Sequence, residues 1–235
     1  MGGSGTIHDI IFAIPSKVNV HISVVKGYHI PNTANANTLV VATSVSGNTA
    51  ETLTVLDSAK RSGCKIVAFS DGGKMMEYCT KNNIEYRRIP MYHSPRASFT
   101  SFLFSMLRVL QPVIPIKSAD ITESIDNLDL LQRSISSENL TETNPALSLA
   151  DWITEMPMIY YPWGLLATAI RFKNSLQENA KMHAIAEDVI EACHNGAVAW
   201  EKQLNFKLIL LRGQDDYIKT KERWEILKDF FKKSK

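Results

Sequence analysis

Small polar residues between Ser44 and Thr49 form a pattern that suits the binding of an anion. The segment reads Ser-Val-Ser-Gly-Asn-Thr and follows an apolar run, Thr38 to Thr43, that is typical of a buried strand. A phosphate here would meet backbone N–H groups and the positive end of a helix dipole, and Gly47 would let the backbone approach it closely. The side-chain donors would be the hydroxyls of Ser44, Ser46 and Thr49. The alternative is that these residues only cap a helix, which is the more common reason for such a composition.

Glu178 and His194 are side chains of the types that move protons in enzymes. A carboxylate can act as a general base, and histidine is the side chain whose charge changes near neutral pH. Each residue also has an ordinary explanation. A glutamate at the end of a helix is usually solvated, and a single histidine among six is usually a surface residue. On residue type alone, both are candidates for acid–base chemistry.

Arg96 is the candidate cation for an anionic reaction intermediate. It follows Pro95, which restricts the backbone of the turn, and its guanidinium stays charged while presenting several hydrogen-bond donors. Such a group can stabilise a negatively charged oxygen. The alternative is an arginine that only faces solvent.

The first half of the chain alternates predicted strands and helices. Runs rich in β-branched residues predict strands at Val18 to Val24, Thr38 to Thr43 and Cys64 to Ser70. Apolar residues at helical spacing predict helices at Ala50 to Ser62 and Ser98 to Leu110. This order predicts a parallel sheet covered by helices on both faces.

The strand-then-helix order restarts in the second half. Ser118 to Glu142 is polar with spaced apolar residues, and we interpret it as a solvent-facing helix that bridges two domains. The later elements are strands at Pro157 to Tyr161 and Lys207 to Leu211, and helices at Leu165 to Gln177 and Thr220 to Lys233. The predicted fold is therefore α/β, with domains at residues 1–117 and 145–235 and a bridging segment at 118–144.

Two loops receive no chemical role from the sequence. Asp71-Gly72-Gly73-Lys74 follows the third predicted strand, and a turn with a helix cap explains it. The loop after Leu211, Arg-Gly-Gln-Asp-Asp, occupies the place that Ser44 to Thr49 has in the first half, but it lacks the small hydroxyl residues. Phosphate binding is therefore predicted in the first half alone.

Composition limits the classes of partner. The 235 residues carry 26 basic and 24 acidic side chains, a net charge of +2 without a basic face, so nucleic acid is not expected. No apolar run is long enough for a membrane span. Three cysteines without metal-binding spacing indicate a reducing cytoplasm. Since no nucleotide-binding fingerprint and no metal-ligand cluster is found, we expect neither a cofactor nor a metal.

Several segments together resemble the sugar isomerase (SIS) proteins. Ser44 to Thr52, S-V-S-G-N-T-A-E-T, is similar to the SIS signature S-x-S-G-x-T. Gly2 to Gly5 resembles the glycine turn of that family, Pro95 to Ala97 its PRA turn, and Asn179 to Lys181, preceded by Glu178, its N-E-N-A-K stretch. The whole chain resembles the bifunctional phosphoglucose/phosphomannose isomerases, which carry two SIS domains in one polypeptide.

The resemblance implies a fold and a set of roles. The two domains would be three-layer αβα, flavodoxin-like sheets, both incomplete, because the chain begins inside the glycine turn and ends before a lysine that the family uses. Glu178 would carry a proton between C1 and C2, and His194, supplied by the other subunit of a homodimer, would open the sugar ring. Arg96 would stabilise the enediolate, while Ser4 would join Ser44 to Thr49 in binding phosphate.

The implied reaction is a metal-free isomerisation through a cis-enediol. Glucose 6-phosphate and mannose 6-phosphate would interconvert with fructose 6-phosphate. Two alternatives remain: a sugar-phosphate-binding module or inactive fragment without catalysis, and, as a minor one, an amino-sugar isomerase that shares the loop.

Overall fold

The computed structural model describes residues 2–14, 19–202 and 205–233. Val18 and Lys235 lie outside this part, as do the side chains of Ser4 and Lys233. The chain divides into two compact units, the first ending at Ile116 and the second beginning at Lys117. Each unit contains its own three-stranded parallel sheet flanked by helices, so the predicted α/β class is confirmed.

The first unit contains strands β1 to β3 in sequential order. The strands are β1 (Leu39–Thr43), β2 (Lys65–Ser70) and β3 (Glu85–Arg88). The helices are α1 (Gly2–Ala13), α2 (Ala50–Arg61), α3 (Gly73–Lys81) and α4 (Phe99–Leu110). The predicted strands at residues 38–43 and 64–70 and the helices at 50–62 and 98–110 are confirmed to within a residue at each end.

The second unit has the strand order β5-β4-β6. The strands are β4 (Met156–Tyr161), β5 (Ile185–Asp188) and β6 (Phe206–Leu210). The helices are α5 (Ser118–Ile135), α6 (Pro145–Trp152), α7 (Leu166–Ser175), α8 (Val189–Glu191) and α9 (Ile218–Lys233). Two π-helical turns, Leu176–Ala180 and Ala192–Gly196, and a 3₁₀ turn, Ala197–Glu201, complete the unit.

Alternation along β1 explains the layering of the first unit. One face of the sheet packs on α2 and α3 through a buried cluster of Ala42, Leu56, Ala68, Met75 and Cys79. Thr43 follows Ala42 and so faces the other side, where its hydroxyl lies 3.3 Å from the sulfur of Met106 in α4. Helix α1 contacts α4. The sheet is therefore covered on both faces.

The same alternation operates along β4 in the second unit. Ile159 packs with Ala169 of α7, while Tyr160 packs with Val189 of α8 and Trp224 of α9. Because successive side chains point to opposite faces, α7 and α9 cover opposite sides of this sheet. The three-layer arrangement that the resemblance implied is present in this unit as well.

The predicted strand at residues 18–24 is wrong for the described residues 19–24. Burial still alternates there, since Ile22 and Val24 are half-buried and His21 and Ser23 are exposed, but these residues pair with none of the described strands. Alternation of apolar and polar residues indicates only that one side of the chain is partly buried, whereas a strand also needs a hydrogen-bonded partner. Conversely, β3 and β5 were missed because Glu-Tyr-Arg-Arg and Ile-Ala-Glu-Asp are short and polar.

The glycine-rich segment at the start also differs from expectation. Gly2 to Gly5 forms the first turn of α1 in place of a free turn. None of the helices in the described part of the chain is long and apolar enough to cross a bilayer.

Candidate active site

The Ser44 to Thr49 loop lies where ligands bind in parallel sheets. It connects the carboxyl end of β1 to the amino end of α2, with Thr49 at the N-cap position of that helix. Ser44 is only 2% exposed, and its N–H donates to the carbonyl of Phe69 in β2 at 3.1 Å. Ser46 is exposed. The loop thus has a fixed base and an accessible tip.

The Thr49 hydroxyl does not cap α2. It lies 2.7 Å from the Ser44 hydroxyl, and in the described segment around Thr49 no side-chain hydrogen bond caps the helix. The N–H groups in the first turn of α2 therefore have no side-chain acceptor. The positive end of the helix dipole is left available to a bound anion. The ordinary explanation of the sequence, that these residues serve to cap the helix, is not what the geometry shows.

Gly47 sits in the left-handed region, with φ of +70°, and presses against the loop that follows β2. A Cβ atom added there would overlap the carbonyl oxygen of Gly72. A glycine is therefore required at this point of the loop for two reasons, backbone conformation and close packing.

Arg96 lies in the turn that leads into α4. The buried hydroxyl of Ser98 holds this turn: it accepts the N–H of Tyr92 at 2.8 Å and lies 2.9 Å from the carbonyl oxygen of Ser94, to which it can donate. Arg96 itself is exposed. Sequence reasoning missed Ser98, and no local pattern distinguishes it from any other serine before a helix.

Glu178 lies on the first of the two π-helical turns, Leu176–Ala180, at the end of α7. The turn closes at Lys181, which has a left-handed backbone with φ of +55° and whose ammonium donates to the Glu178 carbonyl oxygen at 2.7 Å. Glu178 is exposed. π turns are rare and occur often at functional sites, because they redirect side chains within a helix.

His194 lies on the second π-helical turn, Ala192–Gly196. Gly196 packs closely on β4 and β5, since an added Cβ would lie 3.2 Å from Glu187 Oε2 and 3.3 Å from the Tyr160 hydroxyl. That hydroxyl accepts a hydrogen bond from Trp200 Nε1 at 2.9 Å. The chain that follows the exposed His194 is thus held against the sheet.

Within the second unit, the two candidate proton carriers flank β5 from opposite ends. Helix α7 crosses from the carboxyl end of β4 back to the amino end of β5, so Glu178 is on the amino-terminal side. His194 follows the carboxyl end of β5. The two residues are therefore carried by different connections, one that enters β5 and one that leaves it.

Glu187 is a half-buried carboxylate that the sequence analysis did not single out. Burial raises its pKa above the ordinary value of 4.5, and the nearby carboxylates of Glu191 and Asp188 raise it further. It occupies the end of β5, next to the turn that carries His194. Its burial could not be read from the sequence because it depends on the pairing of β5 with β4, whereas Asp188 and Glu191 are its neighbours along the chain.

The loop after β6 is closed by its own carboxylate. Asp216 Oδ2 accepts from the N–H of Gly213 at 3.0 Å and from Trp224 Nε1 at 3.0 Å. The Asp216 carboxylate therefore joins the N–H of Gly213 in this loop to Trp224 of α9.

Two expectations remain. Ser4 lies in the first turn of α1, and its side chain is outside the described residues. In the described ranges, no group of three or more His, Cys, Asp and Glu side chains is arranged to hold a metal ion.

Comparisons with known proteins place these features in a family. Residues 142–235 match the model of the bacterial phospho-glucose isomerase C-terminal SIS domain. A bifunctional phosphoglucose/phosphomannose isomerase of Caldicellulosiruptor bescii is 31% identical, over 99% of this chain and 71% of the relative. One from Pyrobaculum calidifontis is 32% identical, over 83% of this chain and 59% of the relative.

Solved structures support the same assignment at the level of the fold. A crystal structure of glucosamine-6-phosphate deaminase from Thermotoga maritima has a TM-score of 0.69 at 13% identity, over 97% of this chain and 71% of that one. The SIS-type fold is therefore confirmed. Because of its identity to the Caldicellulosiruptor relative and the share of that protein it covers, the chain belongs to the family of bifunctional phosphoglucose/phosphomannose isomerases.

Proposed function

We propose that this chain is an aldose–ketose isomerase that interconverts glucose 6-phosphate and mannose 6-phosphate with fructose 6-phosphate. The observation that carries the proposal is the uncapped amino end of α2 above the Ser44–Thr49 hydroxyl pair. A phosphate dianion would bind there through N–H groups, the helix dipole and the hydroxyls of Ser44, Ser46 and Thr49, with Gly47 allowing close approach. Ser4 would add a further hydroxyl.

The reaction proceeds through a cis-enediol. Glu178, as its carboxylate, takes the proton from C2 of the open-chain aldose; the C–H electron pair forms the C1–C2 double bond, and the carbonyl oxygen takes the negative charge. The proton of the C2 hydroxyl moves to the C1 oxygen, and return of the carried proton to C1 gives the ketose, with a hydroxyl on C1 and a carbonyl at C2. Arg96 stabilises the enediolate oxygen, so that proton transfer and charge stabilisation need no metal ion.

Ring opening is assigned to His194 of a second subunit. The placement of Glu178 before the amino end of β5 and of His194 after its carboxyl end supports this assignment, because the two residues flank the strand from opposite ends. The enzyme would act as a homodimer with two equivalent sites. We place it in the cytoplasm, where the free thiols of Cys64, Cys79 and Cys193 stay reduced.

The test of catalysis is a coupled assay for glucose 6-phosphate formed from fructose 6-phosphate. Glu178→Gln should lower kcat by at least about a hundredfold, because an amide cannot accept the proton. Glu138→Gln, an exposed glutamate in the same unit, is the control and should be as active as wild type. Equal rates for the wild type and Glu178→Gln would refute the role of Glu178.

Mixing two inactive variants tests the donation of His194. A heterodimer of Glu178→Gln and His194→Asn chains would contain one intact site, so an equal mixture should recover about a quarter of the wild-type rate. A mixture that stays as inactive as each variant alone would contradict the exchange of His194 between subunits.

A second candidate function is a sugar-phosphate-binding module without turnover. We call Ser44 to Thr49 the phosphate loop, and this loop is complete within the first unit. If the chain does not dimerise, the same placement of Glu178 and His194 favours binding without turnover. Thermal stabilisation by fructose 6-phosphate without any product would support this candidate. Ser46→Asp should abolish the stabilisation through charge repulsion; if it persists, the loop is not the site.

A further inference from the structure

The Asp71–Lys74 loop, to which the sequence assigned no chemistry, packs directly against the phosphate loop. It follows β2, the strand next to β1, so the two loops lie side by side at the carboxyl edge of the sheet. The N–H of Asp71 donates to the Val45 carbonyl at 3.0 Å, and the N–H of Met75 donates to the Gly47 carbonyl at 2.9 Å. The backbones of the two loops are therefore joined at both ends of the contact.

Two glycines with left-handed backbones permit this contact. Gly47 has φ of +70° and Gly73 has φ of +66°. A Cβ atom at Gly73 would lie 2.6 Å from the Ser46 carbonyl oxygen, closer than side chains approach backbone atoms. Each loop thus fits the other only because neither has a side chain at the point of contact.

Asn48 links the loops through both ends of its amide. Its Oδ1 accepts the N–H of Lys74, in the first turn of α3, at 3.1 Å, and its Nδ2 donates to the Ser46 carbonyl at 3.1 Å. The Asn48 N–H in turn lies 3.3 Å from the Ser46 hydroxyl oxygen. In the SIS signature S-x-S-G-x-T, Asn48 occupies a variable position, so the signature itself does not require this contact.

Arg88 fixes the other end of the second loop. Its Nε donates to the Asp71 carbonyl oxygen at 2.9 Å, and its guanidinium lies 3.2 Å from the Asp71 carboxylate. An unpaired carboxylate beside the phosphate loop would repel a phosphate, and pairing with Arg88 reduces that repulsion.

We infer that Asn48 is a positioning residue, which holds Ser46 in place for the substrate phosphate by anchoring the phosphate loop to the Asp71–Lys74 loop. The inference rests on the proposed binding of phosphate at Ser44 to Thr49. It assigns to Asn48 no contact with the reacting carbons. Its loss should therefore weaken phosphate binding in the ground state and the transition state alike.

The test compares Asn48→Ala with a matched control, Asn82→Ala. Asn82 lies at the other end of α3, where its Nδ2 donates to the Tyr78 carbonyl at 2.8 Å and its Oδ1 accepts from Lys60. Each variant removes an asparagine whose amide makes two side-chain hydrogen bonds. Asn48 is exposed, and Asn82, the C-cap residue of α3, is half-buried. Isothermal titration with fructose 6-phosphate and with inorganic phosphate measures affinity, and the coupled assay measures KM and kcat.

We expect Asn48→Ala to raise Kd and KM by about tenfold and to change kcat by less than about twofold. Asn82→Ala should leave all three near wild type. A merely structural defect would instead lower kcat through a smaller folded fraction, with KM unchanged. Hydrogen–deuterium exchange supplies a second measurement, in which Asn48→Ala should speed exchange within residues 44–49 of the ligand-free chain.

The outcomes separate this inference from the proposed function. If wild type and Asn48→Ala bind fructose 6-phosphate and inorganic phosphate equally well, the positioning role is refuted and the proposed function stands. The same conclusion follows if hydrogen–deuterium exchange at residues 44–49 is unchanged in Asn48→Ala. If both asparagine variants weaken binding equally, the positioning role is refuted as well. If wild type binds neither ligand, the proposed function fails and the inference fails with it.

Discussion

The hydroxyl oxygens of Ser44 and Thr49 lie 2.7 Å apart and share one hydrogen bond across the mouth of the phosphate loop. Thr49 holds the N-cap position of α2, yet its side chain caps none of the first-turn N–H groups in this described segment. The pairing leaves the positive end of the helix dipole to an external anion.

Replacing Ser44 should separate binding from stability. Ser44→Ala removes one hydroxyl donor to the phosphate, and we expect affinity for fructose 6-phosphate to fall about tenfold. The free energy of unfolding should fall by no more than about 1 kcal/mol, because the released Thr49 hydroxyl can then cap α2. Titration calorimetry and urea denaturation measure the two quantities.

The control for Ser44 is Thr54→Ala. The Thr54 hydroxyl is exposed and bonds to the Ala50 carbonyl at 2.9 Å within the same helix. This variant should keep wild-type affinity. Wild-type affinity in Ser44→Ala would contradict the assignment of the loop.

Gly47 and Gly63 form a matched pair for testing the contact between the loops. Both have φ of +70°, but an added Cβ meets nothing within 4 Å at Gly63, whereas at Gly47 it overlaps the Gly72 carbonyl. Gly63→Ala should cost about 1 kcal/mol of unfolding free energy from backbone strain alone. Gly47→Ala should cost at least about 2 kcal/mol more, because one loop must move. Equal losses in urea denaturation would show that the loops do not pack as described.

Glu187 should make stability depend on pH. Burial raises its folded-state pKa above 4.5, so the folded chain binds the proton more tightly than the unfolded chain does. The contribution of Glu187 is therefore fully present below about pH 4.5 and is lost as pH rises through the raised pKa. Glu187→Gln cannot ionise and should become progressively more stable than wild type between about pH 4 and 7.

Thermal denaturation across that range, with Glu138→Gln as the exposed control, measures the effect. If the difference in Tm between wild type and Glu187→Gln is the same at every pH, the Glu187 carboxylate is not destabilised by its surroundings.

Patterns confined to neighbouring residues predicted most of the fold. β-branched runs located β1, β2, β4 and β6, and helical spacing located α2, α4 and α9, because burial on one face imposes those periods on the sequence. Val18 to Val24 shows where this reasoning fails. Alternation there reflects partial burial, and the partner that would make a strand is a property of the tertiary fold.

The candidate site divides in the same way. The Ser44 to Thr49 loop was recognisable because its donors are contiguous in sequence and follow a strand. Asn48 was not recognisable because its partner in α3 is distant along the chain, and Glu187 was not because its burial depends on the pairing of β5 with β4. The partners of Ser98, Tyr92 and Ser94, are close in sequence, but no local pattern marks their hydrogen bonds. The same holds for the π turns that carry Glu178 and His194, since a π turn has no distinct sequence period.

The amino-acid sequence by itself thus determined the α/β class, most of the helices and strands, and the run of phosphate-binding candidates, since all of these depend on residues that are close along the chain. Only the tertiary structure decided that Thr49 bonds to Ser44 in place of capping α2, that Asn48 anchors the loop to α3, and that Glu178 and His194 flank β5 from opposite ends. The Asn48 contact and the places of Glu178 and His194 depend on elements that are distant along the chain, and the Ser44–Thr49 bond depends on the backbone geometry of the loop, so none of them leaves a local pattern in the sequence.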